Sequence, residues 1–145
     1  MAPRSRRAAL ARLGAAVLPM AAALGGCAAQ PDGVKVYQPP AGTNEVLQGP
    51  IEGAPGHSLV VGDLAMPAGA IIPRHRHAGE EFLYVIGGSA VLSREGQPDV
   101  TLQAGQGIRI SPGTIHWGHA GPQGMRAVSS WVVVEGHPLR EAVSE

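Results

Sequence analysis

An all-β domain of short strands is the fold this chain predicts beyond about residue 45, and three observations predict it. Glycine and proline are abundant, 21 and 13 of 145 residues, while aromatics are scarce, which suits tight turns between short strands better than helices. From Val46 onward, short apolar stretches alternate with turn signals at the spacing of a β-sandwich or barrel. After Cys27 no segment long enough for a helix carries a 3.6-residue apolar period. The length fits one domain.

Taken in order, residues 1–26 have the pattern of an export signal. A basic opening, Arg4 to Arg12, precedes an apolar run from Leu13 to Gly26 that is shorter than the ~20 residues of a membrane-spanning helix. The run ends Leu24-Gly25-Gly26-Cys27, which resembles the lipobox of bacterial lipoproteins. That resemblance implies that Cys27 is acylated and anchors the protein to a membrane facing the periplasm or the cell exterior, where more than one acyl chain makes a stable anchor. An ordinary signal cleaved near Ala28 or Ala29, with Cys27 incidental, is the alternative. Ser5-Arg6-Arg7 followed by Leu10 also resembles a twin-arginine signal, which would export the protein already folded. Residues 27–42, with Pro31, Gly33, Pro39 and Pro40, are expected to be an extended tether.

Charge divides along the same boundary. The whole chain has 11 basic and 11 acidic residues, but Arg4, Arg6, Arg7 and Arg12 fall in the signal, so a chain starting at Cys27 carries a net charge of about −4. Such a domain lacks the clustered Lys and Arg a nucleic-acid surface requires, and no nucleic-acid partner is expected. No Cys follows Cys27, so disulfides do not staple the fold.

The barrel domain is expected over residues 43–137, with strands at Glu45–Gln48, Ser58–Ala65, Ile71–His77, Glu81–Ile86, Ala90–Arg94, Asp99–Leu102, Gly107–Ile110, Ile115–His119 and Met125–Glu135. Residues 138–145 are expected as a C-terminal tail that makes one helical turn or frays. Parity along the strand from Glu81 puts Leu83 and Val85 on one face and Phe82, Tyr84 and Ile86 on the other, so both faces are apolar. The second face needs a cover, either the N-terminal strand or another subunit, and the apolar Val132 to Val134 repeats the pattern; a homodimer is expected.

The chemistry lies between Gly69 and Gly88. His75 and His77 are two apart in an extended segment, so both rings point to one side, and a short turn over Ala78 to Glu80 can return a carboxylate to the same cavity. The full spacing is Gly69, five residues, His75-x-His77, three residues, Glu81, six residues, Gly88. It resembles the first signature motif of the cupin superfamily. Gly105 to Ala120, with Pro112-Gly113 and His116, resembles the second motif, departing from it in Ser111 for the usual Pro and Ala120 for a common Asn.

The resemblance implies a cupin jelly-roll barrel, the double-stranded β-helix, with one divalent transition metal held by His75, His77, Glu81 and His116. Three imidazoles and one carboxylate suit Fe, Mn, Cu, Ni, Co or Zn. It further implies a metal-dependent enzyme of dioxygenase, decarboxylase, isomerase or lyase type acting on a small molecule, with oxidoreductase chemistry of the dioxygenase type foremost. A non-catalytic metal- or ligand-binding envelope lipoprotein is the alternative, and catalytic residues are not assigned. The six-residue spacing to Gly88 selects Glu81 over Glu80, which is expected in solvent; His119 falls on the opposite parity from His116. His57 and His137 are expected in solvated loops, Arg74 and Arg76 outward, and Trp117 and Trp131 in packing roles. A hydrolytic zinc site of the metallo-β-lactamase kind is excluded, because no Asp-His pair directly follows His75-x-His77.

Overall fold

The computed structural model describes residues 39–144. The export signal, Cys27 and most of the tether lie outside the described residues. Eight strands follow in order: β1 (Gly42–Pro50), β2 (His57–Met66), β3 (Ile71–Arg76), β4 (Glu81–Arg94), β5 (Gln97–Gln103), β6 (Gly107–Ile110), β7 (His116–Val134) and β8 (Glu141–Ala142). All pairings are antiparallel. The all-β jelly-roll expected from the sequence is the observed fold.

Two long strands organise it. The first half of β4, from Glu81 to Val85, pairs with the second half of β7, from Trp131 to Ala127. β2 and β1 extend that sheet on one side and β6 on the other, giving the order β1-β2-β7-β4-β6. The second half of β4, Ala90 to Arg94, pairs with the first half of β7, Ala120 to His116, and continues into a second sheet, β5-β4-β7-β3-β8. The two strands pass from one sheet to the other without ending.

That passage corrects the expected element list. Glu81–Ile86 and Ala90–Arg94 are one strand, as are Ile115–His119 and Met125–Glu135, because the ladder runs on through the glycines that bend it. Its register shifts between Val85 and Gly87 and again between Gly88 and Ala90, as barrel corners require. Gly88 has φ of 66°, and a Cβ there would stand 2.1 Å from the Gly124 carbonyl oxygen, so only glycine fits where the strands cross the corner. The C-terminal tail is also corrected: it neither frays nor turns as a helix but adds β8 to the edge of β3.

Between the sheets lies a core of Val60, Leu64, Leu83, Val85, Ala90, Leu102, Ala120, Met125, Ala127 and Trp131. Leu83 and Val85 point into it, as parity requires, and Phe82, Tyr84 and Ile86 are 45%, 50% and 48% exposed. β1 does not cover them; it pairs with the far edge of β2. Asp63, on the same outer face, is bound through both carboxylate oxygens by Arg126 at 2.8 and 2.6 Å, which holds its carboxyl below the usual range.

Candidate metal centre

β3 carries His75 and, one residue past its end, His77 on the inward side. The turn at Ala78 to Glu80 then reverses the chain. Gly79 sits against β7, where a Cβ would come within 1.8 Å of the Val132 carbonyl oxygen, and this close approach brings Glu81 back beneath the two rings. β7 begins at His116, which pairs directly with His75 across the ladder. One ligand atom from each of His75, His77, Glu81 and His116 lies within 4.8 Å of all the others, and all four residues are buried. Ring centroids are 4.9 Å apart for His75 and His77, 4.2 Å for His75 and His116, and 5.2 Å for His77 and His116.

Hydrogen bonding orients each ring. The Nδ1 atoms of His75, His77 and His116 meet the backbone carbonyls of Pro73 at 2.7 Å, Leu139 at 2.5 Å and Thr114 at 2.9 Å. A carbonyl only accepts, so each Nδ1 carries the proton and each neutral ring keeps its lone pair on Nε2. Nε2 of His77 and of His116 lie 3.1 and 3.2 Å from Oε2 of Glu81, and both are buried without a hydrogen-bond donor among the described residues. Lone pairs turned toward a carboxylate repel unless positive charge stands among them.

Two arrangements supply that charge. In the first, His77 and His116 take second protons and donate to Glu81. These bonds, with one from Ser129, then hold the carboxyl well below its usual range against burial, which pushes it up and is the largest single influence. In the second, one divalent cation replaces those protons and meets the lone pairs of neutral rings. Burying two imidazolium ions beside each other is costly, since each buried ion carries a penalty on the order of several kcal/mol. Three imidazoles with one carboxylate also form a donor set suited to first-row transition metals, so the residues fit a single metal ion.

Ser129 was not anticipated from the sequence. Its hydroxyl donates to Oε1 of Glu81 at 2.6 Å and is fully buried. The only signal for it is a hydroxyl on the buried parity of an otherwise apolar stretch, between Ala127 and Trp131. Trp131 is a packing residue as expected, but it also lines the cavity, its ring 6.1 Å from that of His77. The remaining residues lie outside the cluster. Glu80 pairs with Arg109 at the surface, Arg76 with Glu141, and Arg74 with Glu95 while lying 4.5 Å over the Trp117 ring. His119 is exposed, His57 opens β2 beside the Pro55 carbonyl, and His137 lies 3.5 Å from Glu141.

Above the cluster is a cavity of about 500 Å³. Its walls are mainly apolar, including Leu64, Ile72, Leu83, Leu92 and Ile110, and among the described residues the only charged groups lining it besides the cluster are the exposed Glu45 and Arg140. Among the described residues no general acid or base other than the four clustered ones sits at its floor.

Burial foremost, and then the neighbouring His116, push the His75 pKa down to about 4 against a reference of 6.5. An unfolded chain therefore binds a proton that the folded metal-free chain refuses between those values, and stability falls as pH is lowered through this window. Glu81, displaced downward, adds a loss in the same direction below its ordinary value of 4.5. The melting temperature of metal-free protein, followed by circular dichroism, is expected to drop steadily from about pH 6.5 to 4; a flat profile there would show that His75 is not held neutral.

Residues 62–134 match the sequence pattern of the family described as Cupin domain. No curated protein matches the chain. Among solved structures, the DMSP lyase DddQ of Ruegeria pomeroyi is 25% identical, with 59% of this chain and 43% of that one covered and a TM-score of 0.53. A cupin-like protein of Thermotoga maritima is 25% identical, with 60% and 65% covered and a TM-score of 0.52. A mutant of Bacillus subtilis oxalate decarboxylase OxdC is 19% identical, with 59% and 24% covered and a TM-score of 0.53, a likeness of fold. The chain spans less than two thirds of each of these structures. With half of its length matched by the family pattern, a stretch that takes in all four clustered residues, this chain belongs to the cupin family.

Proposed function

We propose that this cupin holds one divalent first-row transition metal through His75, His77, Glu81 and His116, and that it is a metal-dependent enzyme acting on a small molecule in the cavity above them. The carrying observation is the buried convergence of one carboxylate and two donor-less Nε2 atoms, an arrangement that a cation completes. A bound ion would supply Lewis acidity, or electron transfer if it is Fe, Mn or Cu. The chain's own residues do the rest. Ser129 holds Glu81 in place and apolar walls exclude water.

The scarcity of acids and bases in the cavity supports chemistry centred on the metal, of the dioxygenase type first and of the decarboxylase, isomerase or lyase types next. The likeness to a DMSP lyase supports action on a small molecule. That scarcity equally favours a second reading, a metal- or ligand-binding protein without turnover. The experiment that comes first is elemental analysis of the purified protein, then spectroscopic titration with O2 and small organic acids. About one Fe, Mn or Cu per chain with a perturbed spectrum supports the enzyme; tightly held zinc indifferent to every ligand supports the second reading. His116→Ala should lose the metal, and full occupancy in that variant would overturn the site.

The protein is proposed to be exported and lipid-anchored, with residues 1–26 removed, Cys27 acylated and residues 27–42 tethering the barrel of residues 43–137. Cys27→Ser is expected to move the protein from membrane to soluble fractions; unchanged fractionation would sink the anchor.

A homodimer is the proposed cover for the outer face of β4. There Phe82 aligns across the ladder with Ser130, continuing to Val61 on β2 and the exposed Leu47 on β1, while Tyr84 aligns with Val128 and then with Asp63, which Arg126 pairs. Exposed Phe82, Tyr84 and Ile86 on one strand face, rimmed by polar residues, suit an interaction site. Sedimentation equilibrium should give a dimer for the wild type and a monomer for Tyr84→Asp with Ile86→Asp; a wild-type monomer at micromolar concentration would refute it.

A further inference from the structure

The three imidazoles of the site are not held in the same way. His75 and His116 each donate through Nδ1 to the carbonyl two residues earlier, Pro73 and Thr114, so their orientation is built into their own chain segment. His77 donates instead to the carbonyl of Leu139, 62 residues further on. Its orientation depends on where the C-terminal segment lies.

That segment is tied down at several points. β8 pairs with β3, aligning Ala142 with His75 and Glu141 with Arg76, and the Val143 amide donates to the Arg74 carbonyl at 3.1 Å. The Glu141 carboxylate accepts from Arg76 Nε at 2.9 Å and stands 3.5 Å from His137 Nδ1, while the His137 amide donates to the Val134 carbonyl. The Leu139 side chain packs against the core, and Leu139 and Arg140 both line the cavity. The side chain of Leu139 thus anchors the segment while its carbonyl grips the ring.

We propose that residues 137–143 form a strap that positions His77 for metal binding, so that the end of the chain controls how tightly the ion is kept. The inference rests on the metal reading of the cluster and adds a positioning role for Leu139 and Glu141. A carbonyl partner on Nδ1 fixes the tautomer and ring angle of a metal-binding histidine. Freeing the strap lets the His77 ring turn, while His75 and His116 keep their own local bonds.

The test uses the full chain loaded with zinc, a diamagnetic probe. Wild type should show three ring Nδ1–H proton signals shifted downfield by hydrogen bonding. Leu139→Gly with Glu141→Ala, which unties the strap at both anchors, should lose the His77 signal alone and bind zinc about 10- to 100-fold more weakly in competition with a chromophoric chelator. Leu139→Met should restore both readouts. Glu141→Ala alone, at a partly exposed position, serves if the double variant fails to fold, and is expected to weaken zinc binding about twofold. Unchanged zinc affinity in a folded, untied variant overturns the proposal, as does retention of all three ring signals. Wild-type protein that binds no zinc or other divalent metal refutes the metal reading itself, whereas zinc held equally well with and without the strap refutes only the strap.

Discussion

The structure depends on one constraint: a carboxylate, Glu81, is buried among imidazoles whose protons point away from it. Each ring donates outward through Nδ1 to a backbone carbonyl, so what converges at the centre is electron-rich. Ser129 offsets part of that cost, but one hydroxyl does not balance a buried charge facing two lone pairs. A single cation would, and much of the surrounding architecture holds the four groups in register.

β4 and β7 provide that register. Each contributes to both sheets, and their shared ladder brings Glu81 opposite Trp131 at one end and Arg94 opposite His116 at the other. β3 lies on the other side of β7, so His75 and His116 meet as direct ladder neighbours. A slip of one residue in any of these pairings would turn a ligand out of the cavity. Gly79 and Gly88 guard against it at the positions where the backbone passes closest to β7.

The strap is attached at the edge of the same frame. Its surface ion pair, Arg76 with Glu141, contributes little, because solvent screens an exposed pair. The β8 ladder and the packing of Leu139 do more, since burying a leucine side chain fully is worth about 1.5–3 kcal/mol and Leu139 is buried in part. The segment is therefore held well enough to orient His77, yet by few contacts compared with the long strands, which suits an element that tunes the site without carrying the fold.

The sequence alone determined whatever rests on local spacing. The period of two along an extended chain places His75 and His77 on one side, a three-residue gap returns Glu81, and alternation sends Phe82, Tyr84 and Ile86 outward and Leu83 and Val85 inward. Gly107–Ile110 was legible to the residue for the same reason, being bounded on both sides by turn signals. Tertiary structure decided what depends on partners far along the chain. Glycine reads as a break in a sequence, but in β4 and β7 it bends a strand whose ladder continues, which is why expected pairs of strands are single ones. Ser129 reaches Glu81 across 48 residues and Leu139 reaches His77 across 62, separations that no local periodicity encodes. A tail with four charged or polar residues among its last six has no pattern of its own to form a strand, and β8 exists only because the edge of β3 offers unpaired backbone groups for it to meet.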